Sequence, residues 1–157
     1  MWEECTDGKA VCMNELSQIA MRYLIAAGWS KNRVVDVTEF ESRLKSDGYE
    51  ISMALRSFYR AYGNLIIQTR AFGFIHIDGM LHTAAEWILE DYSPRVGEIL
   101  APFGEWQSYV LCMGPSGKVY GGMDNWLVWI ADSGEGMIQK LCVMATDETK
   151  VISEKKD

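Results

Sequence analysis

The residues best suited to catalysis in this sequence are a histidine, an aspartate and a cysteine. His76 and Asp78 are two positions apart in a β-branched segment, a spacing that directs both side chains to one face of a strand. Cys112 could then be a nucleophile that the histidine activates, as in a small Cys/His hydrolase. However, Cys112 lies between Leu111 and Met113, and a cysteine in such an apolar run is usually a packed thiol. We therefore expect a protein that is not an enzyme, with the hydrolase as the weaker alternative.

The remaining polar residues show no cofactor or metal motif. Residues 114–117 are glycine-rich but lack the Lys-Ser or Lys-Thr of a phosphate-binding loop and precede a strand. His76 and His82 are the only histidines, and no cysteine is near either of them. The cysteines form no C-x-x-C pair, so we expect reduced, mostly buried thiols and no metal: Cys5, Cys12, Cys112 and Cys142.

Two tryptophans stand out because polar residues flank them at strand edges. Trp106 lies between Glu105 and Gln107, and Trp126 follows an Asp-Asn pair. Large aromatic residues bordered by polar groups are typical of interface anchors, although tryptophan is more often a core residue. On this basis we predict a partner-binding surface made of Glu105, Trp106, Tyr109, Asp124, Asn125 and Trp126.

The charge distribution also indicates a partner. The net charge is −7, with 15 basic and 22 acidic residues. Residues 72–138 contain nine acidic side chains and only two basic ones, Arg95 and Lys118. An acidic field repels phosphate and attracts cations, so we expect a basic protein partner and no nucleic acid. An ordinary solubilising surface would also explain this charge. The nine acidic residues are Asp78, Glu86, Glu90, Asp91, Glu98, Glu105, Asp124, Asp132 and Glu135.

Length and composition indicate one globular domain. The chain has 157 residues, of which 48% are hydrophobic and 24% charged. No apolar run approaches the ~20 residues of a membrane-spanning helix, and the acidic N-terminus does not resemble a signal peptide. We expect a cytoplasmic protein that does not contact a membrane. The predicted division is an N-terminal extension at 1–13, a domain at 14–145 and a charged, frayed tail at 146–157.

Hydrophobic periodicity predicts helices that precede and follow a group of antiparallel strands. The predicted helices cover residues 14–27, 36–45, 52–62, 83–92 and 133–144. A capping box at Thr38 and Glu41 is predicted to start the second helix, and Ser93-Pro94 to end the fourth. The predicted strands are 65–69, 72–77, 109–113, 118–120 and 126–130, with turns at 114–117 and 121–125. We therefore expect an α+β fold, a mainly antiparallel sheet with helices packed on one face.

Several spaced segments resemble the SUKH superfamily, specifically its third immunity-protein subfamily. The likeness covers about residues 27–141, and it depends on the order and spacing of these segments. Asn64 departs from the family pattern, which commonly has a glycine at this turn. The segments are Ala27-Gly28-Trp29-Ser30, Arg33-Val34-Val35-Asp36 with the helix ending at Gly48-Tyr49, Phe58-Tyr59-Arg60-Ala61-Tyr62-Gly63-Asn64-Leu65, Phe74-Ile75-His76-Ile77-Asp78, Gly97 through Glu105, and Gly117-Lys118-Val119-Tyr120-Gly121.

This resemblance implies a bacterial α+β protein that binds and neutralises a cognate, contact-delivered protein toxin. Such toxins are often nucleases or deaminases, and many are basic, which agrees with the acidic surplus in residues 72–138. Other members of the superfamily act as regulatory interaction modules. A cytoplasmic regulatory or scaffold protein is therefore the alternative that the resemblance leaves open.

Overall fold

A seven-stranded antiparallel sheet lies at the centre of the fold, with its strands in sequential order from β1 to β7. The computed structural model describes residues 16–69, 73–79, 86–143 and, for the backbone only, 150–154. The strands are β1 (Ile66–Thr69), β2 (Gly73–His76), β3 (Ala101–Trp106), β4 (Tyr109–Met113), β5 (Val119–Met123), β6 (Trp126–Ala131) and β7 (Lys150–Glu154). The helices are α1 (Gln18–Ala26), α2 (Thr38–Ser46), α3 (Met53–Tyr62), a π-helical turn (Ile88–Tyr92) that continues into α4 (Ser93–Val96), and α5 (Gly134–Val143).

The first three helices lie where the apolar periodicity predicts them. Serine side chains start two of them: Ser17 accepts a hydrogen bond from the Ala20 amide at 3.2 Å, and Ser52 accepts one from the Leu55 amide at 3.1 Å. The predicted inward stripe of α3 is confirmed, because all four of its members are buried: Leu55, Phe58, Tyr59 and Tyr62.

The start of α2 differs from the prediction. The Thr38 side chain makes no capping bond to Glu41; instead the amide and hydroxyl of Thr38 donate to the Asp36 carboxylate at 2.9 and 2.7 Å. These bonds favour the charged form and lower the pKa of Asp36 below its usual value. Glu41 accepts a hydrogen bond from Arg56 at 2.7 Å, which links α2 to α3. The predicted capping box is therefore wrong.

The expected break at Ser93-Pro94 is also wrong. The π-helical turn runs into α4, where Pro94 occupies the first helical turn and needs no amide hydrogen. The Ser93 hydroxyl donates to the Ile88 carbonyl at 2.8 Å and accepts from the Leu100 amide at 2.9 Å, so it holds the junction together. The segment ends at Gly97, which has a left-handed φ of 78°. Residues 83–85 of the predicted helix lie outside the described residues.

The sheet contains more strand than the sequence predicts. β3 was not predicted, and β5 continues through Gly121 and Gly122, which were assigned to a turn. The turn between β5 and β6 is reduced to Asp124 and Asn125. Residues 150–154, expected to fray, form β7 and pair with β6, so that expectation is wrong for these residues. The predicted extension at 1–13 lies outside the described residues, as do 144–149 and 155–157.

The two faces of the sheet are covered to different extents. On one face, the inner face, the paired residues Ile67 and Ile75 are fully buried, and α1 packs beside β1. On the opposite, outer face, Ile66 and Phe74 of the same strands are 50% and 53% exposed. The α+β class and the antiparallel sheet are confirmed. The structure adds that Tyr92 covers the outer face at Gly122, a point that the sequence did not predict.

Candidate functional site

Two neighbouring hairpins bring the six predicted partner-binding residues to one end of the sheet. The β3–β4 hairpin closes at the paired residues Trp106 and Tyr109, and the β5–β6 hairpin closes at the pair Met123 and Trp126. Because β4 pairs directly with β5, the two turns lie side by side. We call this end the tip surface and define it as Glu105, Trp106, Tyr109, Asp124, Asn125 and Trp126.

The aromatic residues of the tip surface differ in exposure. Trp106 is only 6% exposed, and its ring stacks on that of Tyr109 at a centroid distance of 5.6 Å and an interplanar angle of 19°. Tyr109 is half-buried and Trp126 is 40% exposed. Trp106 therefore packs against Tyr109 as a buried cross-strand neighbour, while Tyr109 and Trp126 present aromatic surface to solvent.

The two carboxylates of the tip surface occupy different positions. Asp124 is exposed in the β5–β6 turn at a φ of 52°, a left-handed conformation that aspartate tolerates better than most residues. Glu105 is half-buried in β3, where it pairs with His76 of β2 on the outer face. Since Trp106 is the next residue along the strand, its side chain projects to the inner face. The tip surface therefore wraps around the end of the sheet.

The β5–β6 turn is held by the segment that covers the outer face. The Tyr92 hydroxyl donates to the Asp124 carbonyl at 2.7 Å, and an Arg95 guanidinium nitrogen donates to the Asn125 carbonyl at 2.7 Å. Arg95 also makes two hydrogen bonds to Asp91, the shorter of which is 2.7 Å. Burial of Tyr92 disfavours its charged form and raises its pKa to about 12. These bonds fix the shape of the turn.

Acidic residues of segment 72–138 lie at both ends of the sheet. Asp124 lies in a turn at the tip surface. Glu98 lies at the opposite end, where its carboxylate accepts hydrogen bonds from the Ser116 amide and hydroxyl at 3.0 and 2.7 Å. Asp132 and Glu135 line a cavity at that same opposite end, beside Ser116. The acidic surplus is therefore not confined to the tip surface.

Only two of the three catalytic residues considered from the sequence, His76 and Asp78, come together. His76 Nε2 lies 3.7 Å from an Asp78 carboxylate oxygen, so these two form a pair. Cys112 is fully buried, and burial raises the pKa of its thiol well above the usual range. In the sheet, Cys112 lies two strands away from His76 and two residues farther along its strand. These spacings put the two Cα atoms roughly 12 Å apart. Proton transfer between them would need a hydrogen-bond distance, so this geometry does not support the Cys/His hydrolase.

The described residues contain neither a metal-binding cluster nor a helix that could span a membrane. No group of three or more histidine, cysteine, aspartate or glutamate side chains that could hold a metal ion is found among the described residues. No helix in the described ranges has the length and apolar character needed to span a bilayer. Cys5, Cys12 and His82 lie outside the described residues.

One surface feature was missed from the sequence. A groove of about 410 Å³ lies on the outer face of β1–β3, beside the tip surface, and is lined by Ile66, Gly73, Phe74, His76, Glu105 and Gln107. The sequence does contain a sign of this groove, because apolar and polar residues do not alternate in these strands. Ile66-Ile67 and Phe74-Ile75 are apolar on both faces of their strands, whereas a strand with one solvated face alternates apolar with polar residues.

Comparisons with known proteins give one family. The family model described as SUKH-3 immunity protein matches residues 16–143, which is most of the chain and nearly all of its described part. Neither curated proteins nor solved structures give a significant match. The matched family suggests a toxin-immunity role with a toxin as partner, and it favours binding over catalysis. The likeness first indicated by the spaced segments is confirmed, and the chain belongs to the SUKH-3 immunity protein family.

Proposed function

We propose that this protein binds a cognate, basic toxin domain in the cytoplasm through the tip surface and neutralises it by covering its active site. The family relation supports a toxin as the partner. The toxin is of the nuclease or deaminase class, because enzymes that act on nucleic acid commonly carry basic surfaces. The immunity protein itself performs no chemistry.

The observation that carries this proposal is the fixed geometry of the β5–β6 turn. Two side chains, Tyr92 and Arg95, each donate a 2.7 Å hydrogen bond to consecutive turn carbonyls, those of Asp124 and Asn125. A turn held in this way loses little conformational entropy when a partner binds. It projects Trp126, an exposed aromatic residue of the kind that anchors protein interfaces.

Charge supports the same partner. The exposed Asp124 carboxylate and the half-buried Glu105 carboxylate lie at one end of the sheet. Of the two basic residues of segment 72–138, Arg95 reaches the tip surface at the Asn125 carbonyl, where its charge is paired with that of Asp91. Lys118 follows the turn at the opposite end of the sheet. Carboxylates at an interface rim steer a cationic partner and raise its association rate at low salt.

The first test neutralises the tip carboxylates without changing their shape. We expect Asp124→Asn with Glu105→Gln to slow association with the toxin domain encoded by the adjacent gene, roughly tenfold at low ionic strength. The dependence of that rate on salt should also become shallower. The matched control is Glu50→Gln, an exposed carboxylate near Glu98 at the opposite end of the sheet. An unchanged association rate in the double variant would show that the toxin binds elsewhere on the protein.

The second test removes the aromatic anchor. We expect Trp126→Ala to weaken binding of the same toxin domain by about tenfold or more, the usual effect of truncating an interface hot spot. Met53→Ala is the control, because Met53 is 76% exposed at the start of α3 and outside the tip surface. Survival of cells that express both the toxin and each variant should follow the measured affinities.

A further inference from the structure

The groove on the outer face of β1–β3 exposes apolar side chains that the described part of the chain leaves uncovered. Ile66 and Phe74 are 50% and 53% exposed, although their strand neighbours Ile67 and Ile75 are fully buried. Tyr92 covers the outer face farther along, at Gly122 of β5. β1 is an edge strand of the sheet. Exposed apolar side chains on an edge strand favour unwanted association unless a partner covers them.

The groove is continuous with the tip surface. Glu105 belongs to both, and Gln107, which lines the groove, lies in the β3–β4 turn between Trp106 and Tyr109. A stable protein interface needs about 800 Å² on each partner, provided by roughly 20–30 residues. Two short hairpin turns cannot supply this area, so a partner seated on the tip surface must extend beyond it. The groove offers the adjacent concave apolar surface.

The polar lining of the groove indicates the chemistry of its occupant. Its lining combines the apolar side chains of Ile66 and Phe74 with the polar side chains of His76, Glu105 and Gln107. Of these, Glu105 is an acidic residue and also belongs to the tip surface. No lysine or arginine is among the described residues that line it. A segment with apolar side chains and a neighbouring lysine or arginine is complementary to this arrangement, because the apolar part fills the groove and the cation approaches the carboxylate.

We propose that this groove is a second contact site for the toxin, and that it receives an apolar segment of the toxin flanked by a basic residue. The proposal rests on the proposed function and extends it. The tip surface supplies charge and aromatic anchors, while the groove supplies a desolvated pocket in which hot-spot residues bury apolar area.

The test compares two equally drastic changes at exposed apolar positions. Phe74→Ser should raise the dissociation constant for the adjacent-gene toxin domain at least tenfold. Met53→Ser, outside the groove and more exposed, should change it less than twofold. A second measurement needs no variant: the Ile66 δ1-methyl signal should shift when unlabelled toxin domain is added to isotope-labelled protein. The Ile99 signal, from a 54% exposed side chain that lines the cavity near Glu50 and Pro115, should not shift.

The outcomes separate the two proposals. If the wild type binds the toxin but Phe74→Ser and the Ile66 methyl signal show no change, the groove proposal is overturned and the proposed function remains. If the wild type does not bind the toxin at all, both are overturned. If the protein alone forms a dimer that Phe74→Ser dissociates, the groove is a self-association surface and the present proposal is wrong.

Discussion

The Tyr92 hydroxyl donates a 2.7 Å hydrogen bond to the carbonyl oxygen of Asp124 and so joins the π-helical turn to the β5–β6 hairpin. The two residues are 32 positions apart in the chain. The Tyr92 ring reaches the turn by passing directly over Gly122. Glycine permits this close approach because it has no side chain. The shape of the tip surface therefore depends on a tyrosine outside both hairpins.

Replacement of this tyrosine should affect both stability and its dependence on pH. Tyr92→Phe removes the hydroxyl, and we expect the free energy of unfolding to fall by about 1 kcal/mol near pH 7. Burial raises the pKa of Tyr92 to about 12, above the value of about 10 in the unfolded chain. The contribution of the hydroxyl is thus complete below pH 10 and is lost as the pH rises through 12. Phenylalanine has no such loss.

Urea unfolding between pH 7 and pH 11.5 provides the measurement. The stability difference between the wild type and Tyr92→Phe should be largest near neutrality and should shrink as the pH rises above 10. A difference that stays constant to pH 11.5 would show that the hydroxyl does not ionise differently in the folded and unfolded protein.

The close approach at Gly122 can be tested against the preceding residue. A Cβ at Gly122 would overlap the buried Tyr92 ring, whereas one at Gly121 would come no nearer than 3.1 Å to Ile130. We expect Gly122→Ala to lower the free energy of unfolding by about 1–3 kcal/mol, which is the usual effect of overpacking a core. Gly121→Ala is the matched control and should cost less than about 1 kcal/mol. Thermal unfolding of both variants measures this difference in stability. An equal loss of stability in the two variants would contradict the close packing of Tyr92 on Gly122.

Asn64 is suited to the turn that follows α3. Its φ is 67°, in the left-handed region that glycine and asparagine adopt most readily, and its side chain accepts a hydrogen bond from the Tyr59 hydroxyl at 3.1 Å. We expect Asn64→Gly to change the free energy of unfolding by less than about 1 kcal/mol. Asn64→Val should lower the free energy of unfolding by about 1–3 kcal/mol, because a β-branched residue is strained in the left-handed conformation. Chemical denaturation of the pair measures both, and a tolerated valine would contradict the left-handed turn.

The buried thiols make a prediction about reactivity. Burial raises the pKa of Cys112, so the reactive thiolate is scarce near neutral pH. We expect Cys112 to resist iodoacetamide at pH 8 in the folded protein and to react in urea, as peptide mass spectrometry would report. Cys142, whose pKa burial raises to about 12, serves as an internal comparison. Rapid native alkylation of Cys112 alone would revive the hydrolase alternative.

Local sequence patterns were sufficient for elements whose packing follows from their own periodicity. All four inward residues predicted for α3 are buried, because an apolar stripe on a helix has one way to face a core. The strand Tyr109–Met113 was predicted from its own residues. β3 was missed because it contains Pro102 and Gly104, which local propensity disfavours in strands and which pairing with β2 and β4 overrides.

By itself, the sequence determined the family, the α+β class and the identity of residues at the two hairpin turns, since these depend on spacing along the chain. Only the tertiary structure decided how those residues are presented. The burial of Trp106, the projection of Glu105 to the outer face and the exposure of Phe74 in the groove all depend on which faces of the sheet are covered. Coverage is set by contacts between residues far apart in the chain, such as Tyr92 with Gly122, and no local pattern encodes them.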